Sequence, residues 1–434
     1  MNTLSRRRII ASALLAAGGG AASPRLSSTS AEERSQEKLP VTALITAYYH
    51  VSHADVIVSK ILEGYQRNGE APGPGLRLVS MSVDQPQHVH DISRAMAEKH
   101  GVRLCRSVDE AITLGTDQVQ VAGVLSIAEH GDYPRVNETL QKMYPRRRFF
   151  DETVATFRRC GRSVPYFNDK HLSYRWEDAV EMVRIAREMK FPMLAGSSLP
   201  LTWRFPELEL PQDCEIESAL TIGYGPLEDY GFHALESHQC MIERRRGGES
   251  GVRSVHVAIK DQILESQRDG KWSSELFAAA RRTMPGSPDD SAAWNPLEAD
   301  YEGHLNQPAA YLLEHEDGLK SAVIMTANWS GGFAFACRIK GEELPRACWF
   351  KLQDWGPFGH FSYQLEAFEA TVRAGQTAYP VERTLLTTGV LDRCMHGLAR
   401  GGISVQTPEL AIRYSADPWP FANHPRSRLQ LPHQ

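Results

Sequence analysis

Residues 164–196 read VPYFNDKHLSYRWEDAVEMVRIAREMKFPMLAG, and this stretch decides the fold. VPYFND is an apolar run of strand length, and a second such run begins at Phe191. Between the two runs, Ser173 can cap a helix whose apolar stripe faces a sheet. The stripe consists of Trp176, Ala179, Val180, Val183 and Ala186. Strand, helix and strand in this order predict two parallel strands joined by a crossover helix.

The same alternation runs through the whole N-terminal half. Strand-like runs are VTALITAYY, LRLVSMSVD and VAGVLSIAEHG, and helix-like stretches are ADVIVSKILEGY, ISRAMAEKHG and FFDETVATFRRCG. Strands separated by helices of this length predict a Rossmann-like, doubly wound parallel sheet over residues 39–205.

From residue 206 the strands become longer, and turns that contain glycine separate them. This pattern is typical of antiparallel pairing. Helices are expected at about 229–242 and in YQLEAFEATVRAG, so helices cover one face of the sheet. The sequence therefore predicts an α/β protein whose C-terminal α/β domain, residues 206–417, has an open, mainly antiparallel sheet. Residues 418–434 form a tail.

The N-terminus carries an export signal. Arg6 and Arg7 begin a basic run before the apolar stretch ASALLAAGGGAAS, as in a twin-arginine signal. Residues 1–38 are thus predicted to be signal peptide and linker, and the protein to be periplasmic or secreted. The apolar stretch is too short to span a bilayer, so no stable membrane anchor is expected. An ordinary secretory signal or a retained anchor are the alternatives. Twin-arginine export carries folded proteins, so a cofactor could be loaded before export.

Composition excludes one class of partner. The chain has 434 residues and a formal net charge of −5, which gives no electrostatic footprint for nucleic acid. The basic runs Arg146–Arg148 and Arg244–Arg246 are predicted to be solvated surface. The seven cysteines form no CxxC pair, which argues against a disulfide framework.

Two segments place chemically useful residues. Lys170 follows a predicted parallel strand, and the carboxyl edge of such a sheet is where ligands bind. Asp229, His233, Glu236 and Cys240 are spaced to share one face of a helix. A carboxylate four residues before an imidazole can fix its tautomer and make it a better general base.

These segments resemble the Gfo/Idh/MocA family of glucose-fructose oxidoreductases and inositol dehydrogenases, over residues 40–415. Asp169-Lys170-His171 matches the family's Glu-Lys-Pro, and Asp229, Gly231, His233 and Glu236 match its Asp-x-Gly-x-His-x-x-Asp helix. The resemblance implies a Rossmann domain that binds NAD(P), a carbohydrate or polyol substrate, and a homo-oligomer formed through the open sheet. It also implies that His233 exchanges a proton with the substrate while Asp229 orients it. Lys170 would donate a hydrogen bond to the substrate oxygen, next to the nicotinamide.

The first loop departs from the family pattern. The family has G-x-G-x-x-G after the first strand, whereas this chain has Thr46-Ala47-Tyr48-Tyr49-His50 and no glycine up to Ala54. Side chains as large as Tyr48 and His50 are expected to occupy the space of a pyrophosphate. The expected cofactor contacts are nevertheless Thr46, Ala47, Asp84, Glu129, His130 and Lys170, with Asp84 placed to accept from the ribose.

The edge is richer in His, Asp and Glu than hydride transfer needs, which raises a divalent metal as the alternative. Its ligands would come from His233, Glu236, His238 and His130. Trp203, Arg204 and Glu236 are the expected substrate contacts. Three functions follow: an NAD(P)-dependent sugar or polyol oxidoreductase, an NAD-independent lyase, hydratase or epimerase acting on a keto-sugar, or a non-catalytic sugar-binding module.

Overall fold

The computed structural model describes residues 38–65, 75–285, 294–352, 358–416 and 419–423. The predicted signal and all but the end of the linker lie outside these residues, as does most of the predicted tail. From Lys38 on, the chain forms one compact unit that contains two sheets. The domain boundary predicted at residue 206 stays a prediction.

The first sheet confirms the Rossmann-like prediction. It has six parallel strands in the order β3-β2-β1-β4-β5-β6. The strands are β1 (Leu39–Ile45), β2 (Leu76–Val83), β3 (Arg103–Cys105), β4 (Gly123–Ile127), β5 (Tyr166–Asp169) and β6 (Met193–Gly196). The connecting helices are α1 (His53–Glu63), α2 (Ser93–His100), α3 (Val108–Thr113), α4 (Arg146–Cys160) and α5 (Trp176–Glu188). The strand order reverses between β1 and β4, which is the usual ligand-binding point of such a sheet.

Helix α5 differs in detail from its prediction. Its N-cap is Arg175, not Ser173, whose hydroxyl accepts from the Arg175 amide at 3.2 Å ahead of the helix. Trp176 and Met182 are buried against the sheet, whereas Val180 is 38% exposed. The predicted N-cap was therefore two residues too early and Val180 does not belong to the stripe, but the rest of the stripe still packs the helix on the sheet.

The second sheet has eight strands in the order β14-β9-β10-β11-β8-β12-β13-β7. All neighbours pair antiparallel except β11 and β8, so the sheet is mixed and mainly antiparallel, as predicted. The strands are β7 (Trp203–Phe205), β8 (Ile216–Gly223), β9 (Val252–Ile259), β10 (Ala309–His315), β11 (Lys320–Met325), β12 (Phe333–Ile339), β13 (Arg346–Lys351) and β14 (Ser404–Gln406). The helices that follow α5 are α6 (Asp229–Ile242), α7 (Asp261–Arg268), α8 (Ser274–Thr283), α9 (His360–Ala374) and α10 (Val381–Ala399).

Helices cover both faces of the second sheet. Helix α6, as expected, and α10 pack on one face, and α8 packs against β8, β12 and β13 on the other. Helix α9, the other helix expected on this sheet, instead packs in the core of the first sheet. Leu220 and Ile222 of β8 join Leu276 and Ala280 of α8 in one apolar cluster. The prediction of helices on one face only was wrong, because the α7–α8 pair was not recognised. None of the helices in the described ranges is both long and apolar enough to cross a membrane.

Candidate active site

The candidate site lies at the carboxyl ends of the first sheet's strands. The loops after β1, β4, β5 and β6 supply His53, Glu129, Lys170 and Ser197 in turn. Helix α6 adds His233 from the second half of the chain, hydrogen-bonded to Ser197. The two halves thus meet at the edge where the strand order reverses.

Lys170 is buried at this edge. Its backbone is left-handed, with φ 71°, and its amide donates to the Gly196 carbonyl at 3.1 Å. Its Nζ lies 3.6 Å from Oε1 of Glu129, and the residue is 4% exposed. The amine therefore does not extend into solvent but is held inside the fold by a carboxylate.

Glu129 joins two cations. Its second carboxyl oxygen accepts from Arg146, whose other guanidinium nitrogen lies 3.1 Å from Nε2 of His171. Burial raises the pKa of Glu129, but the charges of Lys170 and Arg146 outweigh burial and hold the pKa well below its ordinary value. Arg146 is fully buried, so the prediction that its basic run is solvated was wrong for this residue. Arg245 of the other run is also buried, in an ion pair with Glu249.

His233 is positioned by Ser197. Its Nδ1 lies 2.6 Å from the Ser197 hydroxyl, which also accepts from the Leu199 amide at 3.1 Å. Burial, and after it the positive charge of Lys170, lowers the pKa of His233 well below its ordinary value. The imidazole is therefore neutral at physiological pH and can accept a proton.

Asp229 lies at the start of α6 without a hydrogen bond to His233 among the described residues. Burial and the neighbouring charge of Glu129 raise its pKa, while Lys170 opposes the shift. Next to it, burial and the Asp229 charge raise the pKa of Glu228 to about 7. Asp229 thus lies near the charges of Glu129 and Lys170, whereas the hydrogen bond to His233 comes from Ser197. The orienting role expected for Asp229 stays a prediction.

Replacing Ser197 by alanine is expected to lower the free energy of unfolding by about 1–3 kcal/mol, because a buried ring nitrogen of His233 loses its partner. Ser198→Ala is the matched control. Its hydroxyl is buried and has no hydrogen-bond partner in the part of the chain that the structure describes, so its loss should be nearly neutral. Urea denaturation compares the two proteins. Equal effects would contradict the role given to Ser197.

The loop after β1 does not place all of its large side chains where a pyrophosphate was expected. Tyr48 is fully buried, with its hydroxyl 2.9 Å from that of Ser59 on α1, so the expectation that it fills the pyrophosphate space was wrong. Tyr49 stacks on His88 with ring centroids 4.9 Å apart, and this stack joins the loops after β1 and β2. Thr46 and Ala47 are fully buried, and the Thr46 hydroxyl donates to the Glu129 carbonyl at 2.7 Å.

The N-terminus of α1 is occupied by the protein's own groups. The Val51 amide donates to Oδ2 of Asp55 at 2.9 Å, and the His53 amide donates to Nδ1 of His130 at 3.3 Å. In a dinucleotide-binding fold these amides would face the pyrophosphate. Burial, followed by the charge of His53, lowers the pKa of His130 to about 4, so this imidazole is a neutral acceptor.

Asp84 stands at the end of β2, where a ribose would be expected. Its two carboxyl oxygens accept from Tyr133 at 2.5 Å and from Arg148 at 2.6 Å. A ribose hydroxyl would have to compete with both donors, neither of which the sequence identified.

The predicted metal ligands do not form a set. No group of three or more His, Cys, Asp or Glu side chains is placed to hold a metal within the described ranges. Glu236 accepts from the Ser197 amide and from the Thr387 hydroxyl. His238 instead bonds the Thr221 hydroxyl at 2.9 Å, and its pKa is lowered to about 3 by burial and the charge of His315.

The expected substrate contacts Trp203 and Arg204 have other roles. Trp203 packs edge-on against Tyr363 at 5.2 Å. Arg204 donates to the carbonyls of Leu208 and Pro200 at 3.1 and 3.2 Å. Both terminal guanidinium nitrogens thus donate to the backbone, and the substrate role expected for Arg204 stays a prediction.

Sequence reasoning gave no site role to four residues of this edge: Arg146, Ser197 and the pair His53–Asp169, whose Nδ1 and Oδ2 lie 2.5 Å apart. His53 carried a usable signal, since it opens a helix directly after the first strand. Ser197 could have been found by its place after β6, next to the glycine that ends the strand. Arg146 gave no such signal.

No protein-family model matches the sequence, and no curated protein matches it. Solved structures match by fold. An apo scyllo-inositol dehydrogenase from Lactobacillus casei has a TM-score of 0.53 at 10% identity, covering 86% of this chain and 99% of that one. An oxidoreductase from Agrobacterium radiobacter, in complex with NAD+, L-tartaric acid and magnesium, has a TM-score of 0.53 at 13% identity, covering 85% and 98%. GenD2 from gentamicin A biosynthesis, in complex with NAD, has a TM-score of 0.52 at 14% identity, covering 85% and 96%.

The fold therefore defines the class: a two-sheet α/β protein with the architecture of these three solved structures. The fold that the resemblance to the Gfo/Idh/MocA family implies is confirmed.

Proposed function

We propose that this chain is a sugar or polyol oxidoreductase, a divergent member of the Gfo/Idh/MocA family that uses NAD(P) and works in the periplasm or outside the cell. One observation carries the proposal: Lys170 and a neutral His233 lie in one buried cluster at the switch point of a Rossmann-like sheet. The named similar structures support it, since one is named a dehydrogenase, another an oxidoreductase, and two hold NAD or NAD+.

The chain's own residues supply proton transfer and charge stabilisation. Neutral His233 takes the proton of a substrate hydroxyl, and the negative charge that develops on that oxygen faces the Lys170 ammonium. Glu129 holds the ammonium from the other side, at 3.6 Å. NAD(P), when bound, would supply the hydride acceptor.

The fit of the cofactor differs between its two ends. Lys170 and His130 fit the nicotinamide end, as polar groups at the edge of the sheet. The loop after β1 does not fit the pyrophosphate as it is arranged, because Asp55 and His130 already accept from the Val51 and His53 amides. Dinucleotide binding requires these two contacts to open.

The occupied α1 N-terminus favours a second candidate, an NAD-independent lyase, hydratase or epimerase that acts on a keto-sugar. Removal of a proton next to a carbonyl also needs a neutral base and a cation beside the developing enolate oxygen. His233 and Lys170 serve this chemistry equally well, and metal assistance has no support from the described residues.

Released cofactor separates the two candidates. We expect the purified, full-length protein to release about one NAD(P) per chain on denaturation, as a tightly held cofactor would. Mass spectrometry of the released small molecules, with a purified dehydrogenase of known occupancy as the standard, measures this. A nucleotide-free protein that also fails to bind added NAD+ or NADP+ would overturn the first candidate and leave the second.

A further inference from the structure

A histidine–carboxylate pair stands at the switch point beside the described cluster. Nδ1 of His53 lies 2.5 Å from Oδ2 of Asp169, the residue before Lys170. Asp169 is 1% exposed, while the His53 side chain keeps 14% of its surface. The carboxylate is therefore buried, and the imidazole keeps partial access to solvent.

The pair is built like an oriented base. A carboxylate can only accept, so Nδ1 of His53 carries the hydrogen, and whenever the ring is neutral its lone pair is on Nε2. Nε2 has no hydrogen-bond partner among the described residues. The ring is fixed by His130, at 5.2 Å between centroids, and by Phe361, at 5.1 Å. A fixed tautomer with an open Nε2 is the arrangement of a general base.

The pair and His233 belong to different elements that meet at Lys170. His53 begins α1 after β1, whereas His233 comes from α6. Asp169 ends β5 and pairs with Gly196 of β6, and the residue after Gly196, Ser197, bonds His233, so neighbouring residues of one strand pair hold both imidazoles. The charge of His53 is felt at His233, which agrees with their sharing one cleft.

We propose that His53, oriented by Asp169, is a second acid–base residue of this cleft and that the two imidazoles act together on a keto-sugar. This inference rests on the second candidate function and deepens it to epimerisation.

The step balances without a cofactor. One imidazole takes the proton from the carbon next to the substrate carbonyl, and the C–H bonding pair forms an enolate whose oxygen faces Lys170. The other residue, as imidazolium, returns a proton to the same carbon from the other side, and the carbonyl re-forms. One C–H bond breaks and one forms, no electrons leave the substrate, and solvent restores the protonation states of the imidazoles.

A small haloketone tests the pair without a known substrate. Chlorohydroxyacetone can place its carbonyl at Lys170 and its chloromethyl carbon at a neighbouring base, which displaces chloride and becomes alkylated. With the full-length protein and less than one equivalent of probe, peptide mapping by mass spectrometry is expected to find some chains alkylated at His53 and others at His233. Exposed His90 reports non-specific alkylation.

Matched variants make the result specific. Asp169→Asn is expected to slow alkylation of His53 by about 10- to 100-fold, because the amide donates to Nδ1 and moves the hydrogen to Nε2. The rate at His90 should not change. His53→Gln, which keeps size and polarity, should leave His233 as the labelled site.

The outcomes distinguish this inference from the proposed function. Alkylation of His233 alone, or of His53 at an unchanged rate in Asp169→Asn, overturns the role of His53 and leaves the site of His233 and Lys170 intact. Alkylation of neither histidine above the level of His90 overturns both. If the wild-type protein epimerises a keto-sugar, His53→Gln is expected to lower kcat by about 10²- to 10⁴-fold with little change in KM.

Discussion

Lys170→Met is expected to lower turnover of any sugar or polyol that the protein converts by about 10²–10³-fold, or about 2.7–4 kcal/mol. The methionine keeps the length of the side chain but removes the charge that faces the reacting oxygen. Glu129 keeps its ion pair with Arg146, so the fold should survive the change. Steady-state kinetics measure the loss, which should fall on kcat if the charge acts mainly in the transition state.

The pKa of His233 in the same variant can be measured without a substrate. The charge of Lys170 is the strongest influence after burial on the pKa of His233, and it acts downward. Its removal should therefore raise that pKa, although burial will keep it below the ordinary histidine value. The charges of His53, His360 and His171 also lower the pKa and remain. NMR of histidine-labelled protein follows the titration.

Lys340→Met is the matched control for Lys170→Met. Lys340 pairs with Glu215 at 2.9 Å, but its side chain is 66% exposed. Neither turnover nor the pKa of His233 should change in this protein. An unchanged His233 pKa in Lys170→Met would mean that the amine and the imidazole do not share a cleft.

Apolar runs were enough to predict most of the first sheet, because its strands are buried on both faces. Four of its six strands were predicted together with their following helices, and a fifth, β6, closes the quoted stretch. Strand β3 was missed because it has three residues, two of them exposed. Helix α3 follows it and has six residues, too few to give a helical period.

In the second half, the missed helices explain the wrong expectation for the sheet face. Helices α7 and α8 bury few positions each, Ile263 and Ser266 in the first and Leu276, Ala279 and Ala280 in the second. Short polar helices with two or three buried positions are hard to tell from loops by their sequence pattern. That Leu220 and Ile222 are buried by a helix on the second face is seen only in the folded structure.

Some site residues can be found from local sequence motifs, whereas others are recognised only from contacts in the folded chain. Lys170 and His233 were found because each belongs to a short motif whose spacing fits a strand end or a helix face. The Ser197 contact to His233 joins residues 36 apart, and the His53–Asp169 contact joins residues 116 apart. Contacts at that separation depend on how the chain folds, which a motif does not contain.

Arg146→Ala is expected to lower the free energy of unfolding by about 3–5 kcal/mol, because it leaves the buried Glu129 carboxylate without its closest partner. The neighbouring arginines are matched controls from the same helix turn. Arg147 and Arg148 pair with Asp151 and Glu152, and their side chains are 28% and 46% exposed. Their alanine variants should each cost about 0.2–1 kcal/mol. Urea unfolding followed by tryptophan fluorescence measures all three, and equal losses would contradict the buried role of Arg146.

The pH dependence of the unfolding free energy of the same proteins tests whether Arg146 acts through Glu129. The folded-state pKa of Glu129 is depressed below its ordinary value of 4.5, so its contribution to stability is present above that value. It is lost as the pH falls through the depressed folded-state pKa. Without Arg146 the depression is smaller, so the difference in stability between wild type and Arg146→Ala should narrow as the pH falls below about 4.5. A constant difference would mean that Glu129 is not the group through which Arg146 acts.

Stabilisation of the fold does not by itself explain the buried ion pair of Glu129 and Arg146. Nε of Arg146 is buried and has no hydrogen-bond partner in the described ranges, and a buried ion pair can often be replaced by apolar residues at no cost. The double variant Glu129→Gln with Arg146→Met should therefore recover the part of the stability that Arg146→Ala loses through the unpaired carboxylate, and the remaining loss comes from the buried Lys170 ammonium, which loses its partner. It should not recover turnover, because the carboxylate that holds Lys170 at 3.6 Å is gone. Stability restored without activity would assign the pair to positioning the amine, whereas restoration of both would make the pair dispensable.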